Sequence, residues 1–436
     1  MADLVSLLLE DPRSGAELQA LLGISPATLS RQIRSQPEVI SWGKARATRY
    51  ALLRPIRDRR QIALWRVTSQ GIAEEAGTLF PVWPQGSCLY VNTQQHGQFY
   101  SGLPWFLQDM RPQGFLGRAW GREHAAVLGL TADIREWQEE ECLLALALCG
   151  ADMPGNWLVG ETTYQRWLTA SATSPIGVAE KSQQYPRLAS QALSGEEPGS
   201  SAGGEQPKFL CYADVGHCLV KFSTNAENEN GQRWRDMLRA EHHALQQMLH
   251  AGLPAAQSQL YESRGQVFLE VQRFDRCGER GRLGMVSLEA LVAEYAGRPQ
   301  QWPQALQALR QQKVISQQAV DRGTLQWAFG RLIANSDMHA GNLSFFTASE
   351  PLELTPAYDM LPMALAPNSQ GHMRNEVELR LETALPRAVW QPASALALSY
   401  WHGIEQDERF SAGFRAIARA AQQQLKDMQV MIARMA

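Results

Sequence analysis

The 436-residue sequence predicts an α+β protein in which a winged helix-turn-helix module precedes a two-lobed body. Three observations lead to this class. Short helical segments separated by a glycine turn open the chain and are followed by two strand-like runs. Further on, a mixed segment contains apolar strands, one of which carries a central lysine. Beyond residue 286, Leu, Ala and Gln recur at helical spacing, so the second lobe is predicted to be all-helical.

The composition is that of a soluble globular protein, with 44% apolar and 19% charged residues. At this length we expect two to four domains. No stretch approaches the roughly 20 apolar residues that a membrane helix needs. The N-terminus lacks the residue order of a signal peptide, so we expect a cytoplasmic protein without a membrane partner. The six cysteines lack metal-ligand spacing, which favours reduced, buried thiols.

The first 58 residues have the element order of a winged helix-turn-helix. Ser14 and Glu17 have the spacing of a capping box at the start of one helix, and Gly23 suits the left-handed end of that helix. Ser25-Pro26 then begins a third helix, with Ser as the cap and Pro at the first position. Two short strands joined by a basic turn follow as the wing.

This module is strongly basic, although the whole chain has a net charge of −3. Residues 31–60 contain nine Lys or Arg against two acids, which suggests an anionic partner. The third helix would enter the major groove of DNA and the wing would meet phosphates or the minor groove. The residues expected to contact DNA are Thr28, Ser30, Arg31, Arg34, Lys44, Arg46 and Arg49. The alternative is a small helical domain with a solvated basic face, or one that docks on its own body.

Residues 171–207 are rich in Ser, Gly, Pro and Gln, a composition typical of a mobile connector or a long loop. The segment ends in a Gly- and Ser-containing loop, residues 199–208, that enters a strand. Such a loop can bring backbone N–H groups close to phosphates, and it is equally compatible with a flexible linker. It is not a Walker A loop, because that motif is absent.

The run 218–223 has the pattern of a short apolar strand with Lys221 in its middle. A buried ammonium is costly without an anionic partner. In kinase-type folds, such a lysine pairs with nucleotide phosphates and with a glutamate on a nearby helix. Glu241, in the helix predicted over 234–250, is a suitable glutamate. The alternative is an edge-strand lysine whose ammonium reaches solvent.

The main chemical signal is an Asp, an Asn five positions later and a separate Asp after an apolar run. These residues are Asp337, Asn342 and Asp359. Phosphoryl transfer needs a carboxylate to orient the attacking hydroxyl, and an amide with a second carboxylate to hold magnesium. Asp337 and Asn342 would share one loop, and Asp359 would enter from the next strand. Taken alone, the Asp-x-x-x-x-Asn spacing is more often an ordinary turn.

In this order, the motifs resemble those of the HipA-like serine/threonine kinases, the toxin components of bacterial toxin–antitoxin systems. The resemblance covers roughly residues 60–436 and implies a two-lobed kinase fold distantly related to phosphoinositide kinases. It rests on five segments: 201–208, 220–222, 272–276, 335–342 and 356–359. Five motifs in the correct order are far more specific than any one of them.

The resemblance implies a role for each matching residue. Asp337 would be the catalytic base, Asn342 and Asp359 the Mg²⁺ ligands, and Lys221 a phosphate-binding residue. The ATP site would also include Gln272, Arg273 and Phe274 at the adenine and Ser201, Gly203 and Gly204 in the loop. Ser201 matches the serine that is autophosphorylated in the family, with Ser200 as an adjacent hydroxyl. The chain departs from the family pattern at Gly284, Gln272 and Met338, which concerns substrate choice and the hinge more than phosphoryl transfer.

These inferences predict four domains: a winged helix-turn-helix over 1–58, a HipA-like N-terminal subdomain over 59–170, a kinase N-lobe over 171–276 and a helical C-lobe over 277–436. The function they favour is ATP- and Mg²⁺-dependent phosphorylation of a protein hydroxyl, together with DNA binding. Family substrates include translation components, and family toxins are commonly paired with a separate antitoxin. One alternative is a DNA-binding regulator on an inactive or sensory kinase scaffold. Another is a metal-dependent nuclease.

Overall fold

The computed structural model describes residues 3–171, 174–194, 206–297, 301–368 and 370–435. The chain forms two compact units. The first comprises residues 1–113 and 120–171, and the second comprises residues 114–119 and 172–436. The segments predicted as separate domains over 1–58 and 59–170 therefore lie mainly within one unit.

The N-terminal part of the first unit has the element order that the sequence predicts. Within residues 3–52, its elements are α1 (Leu4–Glu10), β1 (Arg13–Ser14), α2 (Gly15–Leu22), α3 (Pro26–Arg34), β2 (Val39–Trp42) and β3 (Arg49–Leu52). The capping box is confirmed, because Ser14 Oγ accepts from the Glu17 amide at 3.3 Å and Glu17 Oε2 accepts from the Ser14 amide at 2.6 Å. Gly23 ends α2 in the left-handed conformation, with φ of 65°.

The rest of the first unit is built on an antiparallel sheet with strand order β7-β6-β5-β4-β8. Its elements are β4 (Ile62–Val67), β5 (Ala73–Val82), β6 (Ser87–Asn92), β7 (Gly97–Tyr100), the part of α4 (Gly114–Leu128) from residue 120 onward, α5 (Glu139–Cys149), β8 (Trp157–Val159) and α6 (Glu161–Thr169). Helix α5 is buried along most of its length and packs into the core of this sheet. Apolar side chains on nearly every face of α5 explain this burial.

The N-terminal strands form a sheet in the order β1-β3-β2, which packs against one face of this larger sheet. Their shared core contains Ala51 of β3 and the adjacent Leu53, together with Val82 and Leu89 of the larger sheet. Backbone hydrogen bonds also join them, since the Trp83 amide donates to the Leu52 carbonyl at 2.9 Å. The N-terminal module is therefore held on the following domain by both apolar burial and hydrogen bonds.

The second unit begins with a helix and a four-stranded antiparallel sheet, ordered β11-β12-β10-β9 in the described part of the chain. The elements are α7 (Val178–Leu193), β9 (Lys208–Ala213), β10 (Gly216–Phe222), α8 (Glu229–His250), β11 (Ser258–Ser263) and β12 (Gln266–Gln272). Strand β10, which carries Lys221, lies between β9 and β12. The alternative of an edge-strand lysine is therefore wrong.

Helix α7 corrects the expectation of a connector or long loop for Val178–Leu193, while residues 172–173 and 195–205 of that segment lie outside the described residues. The helix is held to the sheet by Lys181, whose buried ammonium lies 2.5 Å from Asp214 and 2.8 Å from Glu270. Tyr185, also buried, donates a hydrogen bond to Glu270. Glu270 is 89 positions from Lys181 and 85 positions from Tyr185 in the sequence. The polar composition of the segment therefore gave no sign that the helix is attached to the sheet.

The remainder of the second unit is mainly helical, and the predicted α+β class is confirmed. Its elements are β13 (Arg276–Cys277), β14 (Gly281–Arg282), β15 (Met285–Ser287), α9 (Leu288–Tyr295), α10 (Trp302–Gln311), α11 (Gln317–Leu332), β16 (Ser344–Phe346), β17 (Glu353–Leu354), α12 (Arg387–Gln406) and α13 (Ala412–Ala433). This lobe is not purely helical, because β15, β16 and β17 form a small sheet. Strands of two or three residues are too short to show a period in the sequence.

Among the residues that the structure describes, no helix combines the length and the apolar character needed to cross a membrane.

Candidate active site

Lys221 lies at the centre of a buried cluster of charges. Its Nζ is 2.6 and 2.8 Å from the two carboxylate oxygens of Glu241 on α8, and 2.5 Å from Oδ1 of Asp359. The Glu241 side chain is only 1% exposed, whereas the Asp359 side chain is 34% exposed. The cluster is thus closed on the Glu241 side and reaches solvent through Asp359.

The charges in this cluster shift one another's pKa. Burial by itself would lower the pKa of Lys221, but the Asp359 and Glu241 carboxylates raise it above its usual range. Burial raises the pKa of Glu241, with only partial compensation by Lys221. Burial also acts to raise the pKa of Asp359, but Lys221 and then Lys208 hold it below its usual range. Because of these pKa shifts, Lys221 is protonated and Asp359 is ionised at neutral pH.

Asn335 joins the two parts of the chain that carry the predicted aspartates. Its Nδ2 donates to the Asp359 carbonyl at 3.1 Å, and its Oδ1 accepts from the Asp337 amide at 3.1 Å. Asn335 is 4% exposed, and both bonds are partly buried. Asp359 does not lie on a strand as predicted; it follows an isolated bridge at Ala357 and has a φ of 54°. A left-handed aspartate is uncommon and is found preferentially where surrounding contacts impose it.

The loop between α11 and β16 carries Asp337 and Asn342. Asn342 Nδ2 donates to the Asp337 carbonyl at 2.7 Å, which closes the loop. The Asp337 side chain is 56% exposed, and His339 Nε2 lies 4.0 Å from its Oδ1. Trp302 Nε1 donates to the His339 carbonyl at 3.0 Å and ties the loop to α10. The Asp337 carboxylate is therefore accessible on a backbone that is held from both sides.

The predicted hinge residues, Gln272 to Phe274, begin at the last residue of β12. Gln272 Nε2 donates to the Val215 carbonyl, and the Arg273 guanidinium forms two bonds with the Asp275 carboxylate. Their backbone amides donate to the carbonyls of Gln257 and His217. These two amides are therefore engaged within the protein, and contact with a base from this pair would have to use other atoms.

Phe274, the third predicted hinge residue, is connected through Tyr358 to the loop that carries Asp337 and Asn342. The ring centroids of Phe274 and Tyr358 are 5.7 Å apart. The Tyr358 hydroxyl donates to the Gly341 carbonyl at 3.0 Å and lies 2.7 Å from Ser344 Oγ. Because Tyr358 directly precedes Asp359, these contacts join the predicted hinge, the loop of Asp337 and Asn342, and Asp359.

The structure adds Asn335 and Lys208 to the residues chosen from the sequence. Lys208 lies directly opposite Lys221 in the antiparallel pair of β9 and β10, so the two side chains share one face of the sheet. The signal that could have found Lys208 is its position at the end of the Gly-containing loop. Ser200, Ser201, Gly203 and Gly204 lie outside the described residues.

The side-chain oxygens of Asp359 and Asn342 are of the type that binds magnesium. Among the described residues, no cluster of three or more His, Cys, Asp or Glu side chains is arranged to hold a metal ion by itself. Mg²⁺ typically takes one or two protein oxygens and completes its shell with water and substrate phosphates. The Asp359 carboxylate and the Asn342 amide oxygen would supply such a partial set.

The predicted DNA-binding residues lie on α3, on the turn between β2 and β3 and, for Arg49, at the first position of β3. Ser30, Arg31 and Arg34 are exposed on α3, while Thr28 is half-buried beside its helix cap. Lys44 and Arg46 are exposed on the turn. Arg49 instead donates to the Pro12 carbonyl at 2.7 Å, which gives it a structural contact within the module.

Comparisons with known proteins identify the family. Residues 58–168 match the model of the YjjJ-like toxin middle domain, and residues 200–435, more than half of the chain, match the HipA-like C-terminal domain. The chain is also 48% identical over 441 residues to Toxin YjjJ of Escherichia coli (strain K12), with 100% of both chains covered. The chain belongs to the HipA-like family.

A solved HipA-like structure has the same fold. The structure of the HipA, HipB and operator DNA complex of Shewanella oneidensis MR-1 matches this chain with a TM-score of 0.57 at 16% identity. The match covers 85% of this chain and 98% of that one. The predicted HipA-like, two-lobed architecture is therefore confirmed.

Proposed function

We propose that this chain is a toxin-type protein kinase that transfers the γ-phosphate of ATP to a serine or threonine hydroxyl. The observation that carries the proposal is the buried contact of Lys221 with Glu241 and Asp359, beside the loop of Asp337. A lysine paired with a helix glutamate and a metal-binding aspartate is the arrangement that protein kinases use on nucleotide phosphates. The name of the E. coli relative, Toxin YjjJ, supports the toxin assignment.

Each residue has a defined task in this proposal. Lys221 would bind phosphate oxygens while Glu241 holds its ammonium in place. Asp337, exposed at the loop, would accept the proton of the attacking hydroxyl. Asn342 and Asp359 would hold Mg²⁺, which supplies charge neutralisation on the transferred phosphoryl group when bound. Asn335 would keep the two aspartate-bearing segments in register through its two hydrogen bonds.

The test is incubation of the purified protein with Mg²⁺ and γ-labelled ATP, followed by mapping of the phosphorylated residues. Asp337→Asn should lower incorporation by about 10²- to 10⁴-fold, the usual contribution of a general base. Asp321→Asn is the matched control, because Asp321 is exposed on the preceding helix α11. We expect the label on Ser201 or Ser200 of the wild type. Equal labelling of wild type and Asp337→Asn would overturn the assignment of Asp337 as the base.

A DNA-binding function for the N-terminal module is a second proposal. It is supported by the exposure of Arg31, Arg34, Lys44 and Arg46 on the helix and turn that a winged helix-turn-helix uses. The Shewanella structure contains HipA with HipB and operator DNA, and here the chain would contribute its own DNA-binding module, with or without a separate antitoxin. Arg31→Ala with Arg34→Ala should abolish DNA binding and leave phosphate transfer intact.

The regulator and nuclease alternatives predict different results. If the kinase lobe is an inactive scaffold, a cellular effect will survive Asp337→Asn and will be lost with the two arginine substitutions. A nuclease would degrade DNA with metal and without ATP. The protein substrate of the kinase is sought by adding γ-labelled ATP to a cell extract that contains wild type or Asp337→Asn.

A further inference from the structure

A second exposed tip in the first unit lies beside the wing. The wing tip comprises residues 43–48, between β2 and β3, and the hairpin tip comprises residues 93–96, between β6 and β7. We propose that both tips contact the same DNA duplex, so that the DNA-binding surface extends from the N-terminal module onto the following domain. This inference rests on the proposed DNA-binding function and adds a contact site to it.

The packing of the two sheets places the tips at one end. At one end of their shared core, Leu53 pairs with Val82. At the other end, the Trp42 side chain lies directly on Gly97, where an added Cβ would come within 2.6 Å of the ring. Trp42 is the last residue before the wing tip, and Gly97 is the first after the hairpin tip. Since packed sheets lie about 10 Å apart, the two tips project side by side at a similar separation.

The hairpin tip is rigid at its base and open at its end. Asn92 Oδ1 accepts from the amides of Gln94 at 3.0 Å and His96 at 2.9 Å, and the Asn92 amide donates to the His96 carbonyl at 2.9 Å. These bonds hold the turn, while all four residues from Thr93 to His96 are exposed. The side chains of the turn are therefore presented to solvent on a constrained backbone.

The chemistry of the two tips favours DNA over a protein partner. Together they contain Lys44, Arg46, two glutamines, two threonines and a histidine, with no Asp or Glu. Hydroxyl, amide and cationic side chains are the groups that hydrogen-bond phosphates and groove edges. A protein interface would be expected to have large apolar or aromatic side chains at its centre, and the tips have none. Glu74 and Glu75 are exposed on β5, and their carboxylates would repel phosphates. The proposed DNA-binding surface is therefore limited to the β6–β7 side of the sheet.

The test measures binding of the full chain to a fluorescein-labelled, mixed-sequence DNA duplex by anisotropy, over a series of salt concentrations. Gln94→Glu combined with Gln95→Glu should weaken binding by about 10-fold at low salt, because two negative charges would face phosphates. The reverse change, Gln94→Lys with Gln95→Lys, should strengthen binding by a similar factor. A gain of binding cannot result from misfolding.

Gln85→Glu is the matched control, because Gln85 is exposed in the turn between β5 and β6, at the opposite end of the same strands. Its binding should equal that of the wild type. Lys44→Ala with Arg46→Ala tests the underlying function and should lower the slope of log affinity against log salt by about 2. If that pair has no effect, the proposed use of the wing fails. A different outcome overturns only the hairpin inference: Lys44→Ala with Arg46→Ala weakens DNA binding, but the Gln94 and Gln95 variants bind DNA with the same affinity as Gln85→Glu.

Discussion

Replacing Lys221 with methionine should reduce the free energy of unfolding of the ligand-free protein by about 3 kcal/mol, at the lower end of the range for breaking a buried ion pair. Methionine fills a similar volume but leaves the Glu241 and Asp359 carboxylates without the ammonium that lies 2.5–2.8 Å from their oxygens. Glu241 is 1% exposed and cannot gain hydration. Asp359 is 34% exposed and can gain hydration. We therefore expect a loss of stability below the upper end of the range for breaking a buried ion pair.

The loss should depend on pH in a defined direction. In the wild type, burial already raises the pKa of Glu241, while Lys221 holds the pKa of Asp359 low. Without the ammonium, both pKa values rise, so the folded variant binds more protons than the unfolded chain at mildly acidic pH. Its stability therefore increases relative to wild type as the pH falls. The difference between the two proteins should be largest near neutral pH and should narrow towards about pH 5.

Urea unfolding followed by tryptophan fluorescence, at neutral and mildly acidic pH, measures both effects. Adding Glu241→Gln to Lys221→Met should restore part of the loss, because one uncompensated charge is removed. Lys426→Met is the control, since Lys426 is exposed on α13 and should change stability by no more than about 0.5 kcal/mol. A Lys221→Met variant as stable as this control would refute the burial and pairing described for the cluster.

Three further predictions test other parts of the structure. Asn335→Ala should cost about 1–3 kcal/mol in urea unfolding, because two partly buried hydrogen bonds of a buried side chain are lost; a cost below about 0.5 kcal/mol would contradict the bridging role. Gly97→Ala should lower the melting temperature through the clash with Trp42, whereas Gly102→Ala, whose added Cβ meets only ordinary contacts, should have little effect. Burial lowers the pKa of His242 to about 4, so the folded protein keeps this side chain neutral. As the pH falls from 6.5 towards 4, the unfolded chain binds a proton at His242 before the folded protein does, and the folded protein loses stability. His242→Gln should therefore reduce acid destabilisation by about 1–2 kcal/mol, and an unchanged pH profile of unfolding would exclude His242 as its source.

Local hydrogen bonding made the N-terminal module predictable from the sequence. The capping box of Ser14 and Glu17, the left-handed Gly23 and the Ser25-Pro26 helix start all involve partners within four residues. Such interactions depend on neighbouring residue types, which the sequence displays directly. Its attachment to the following domain was not readable, because the Trp42 contact with Gly97 depends on how two sheets pack.

The candidate site divides in the same way. The residue types and spacing of Asp337, Asn342 and Asp359 were legible in the sequence, as was the need of Lys221 for an anionic partner. The sequence did not reveal Asn335 as a bridge or the left-handed conformation of Asp359. The composition of residues 171–207 even pointed away from helix α7, whose Lys181 finds Glu270 at a distance of 89 positions.

What the sequence determined by itself was therefore the set of chemical groups and the local elements that carry them. The tertiary structure decided which groups meet. Lys221 and Asp359 are 138 positions apart, and their pairing at 2.5 Å requires the lysine strand, the Glu241 helix and the segment after β17 to come together. The physical reason is that helix caps and turns are stabilised by neighbours in the chain, whereas a buried charge is stabilised only by partners that folding brings to it.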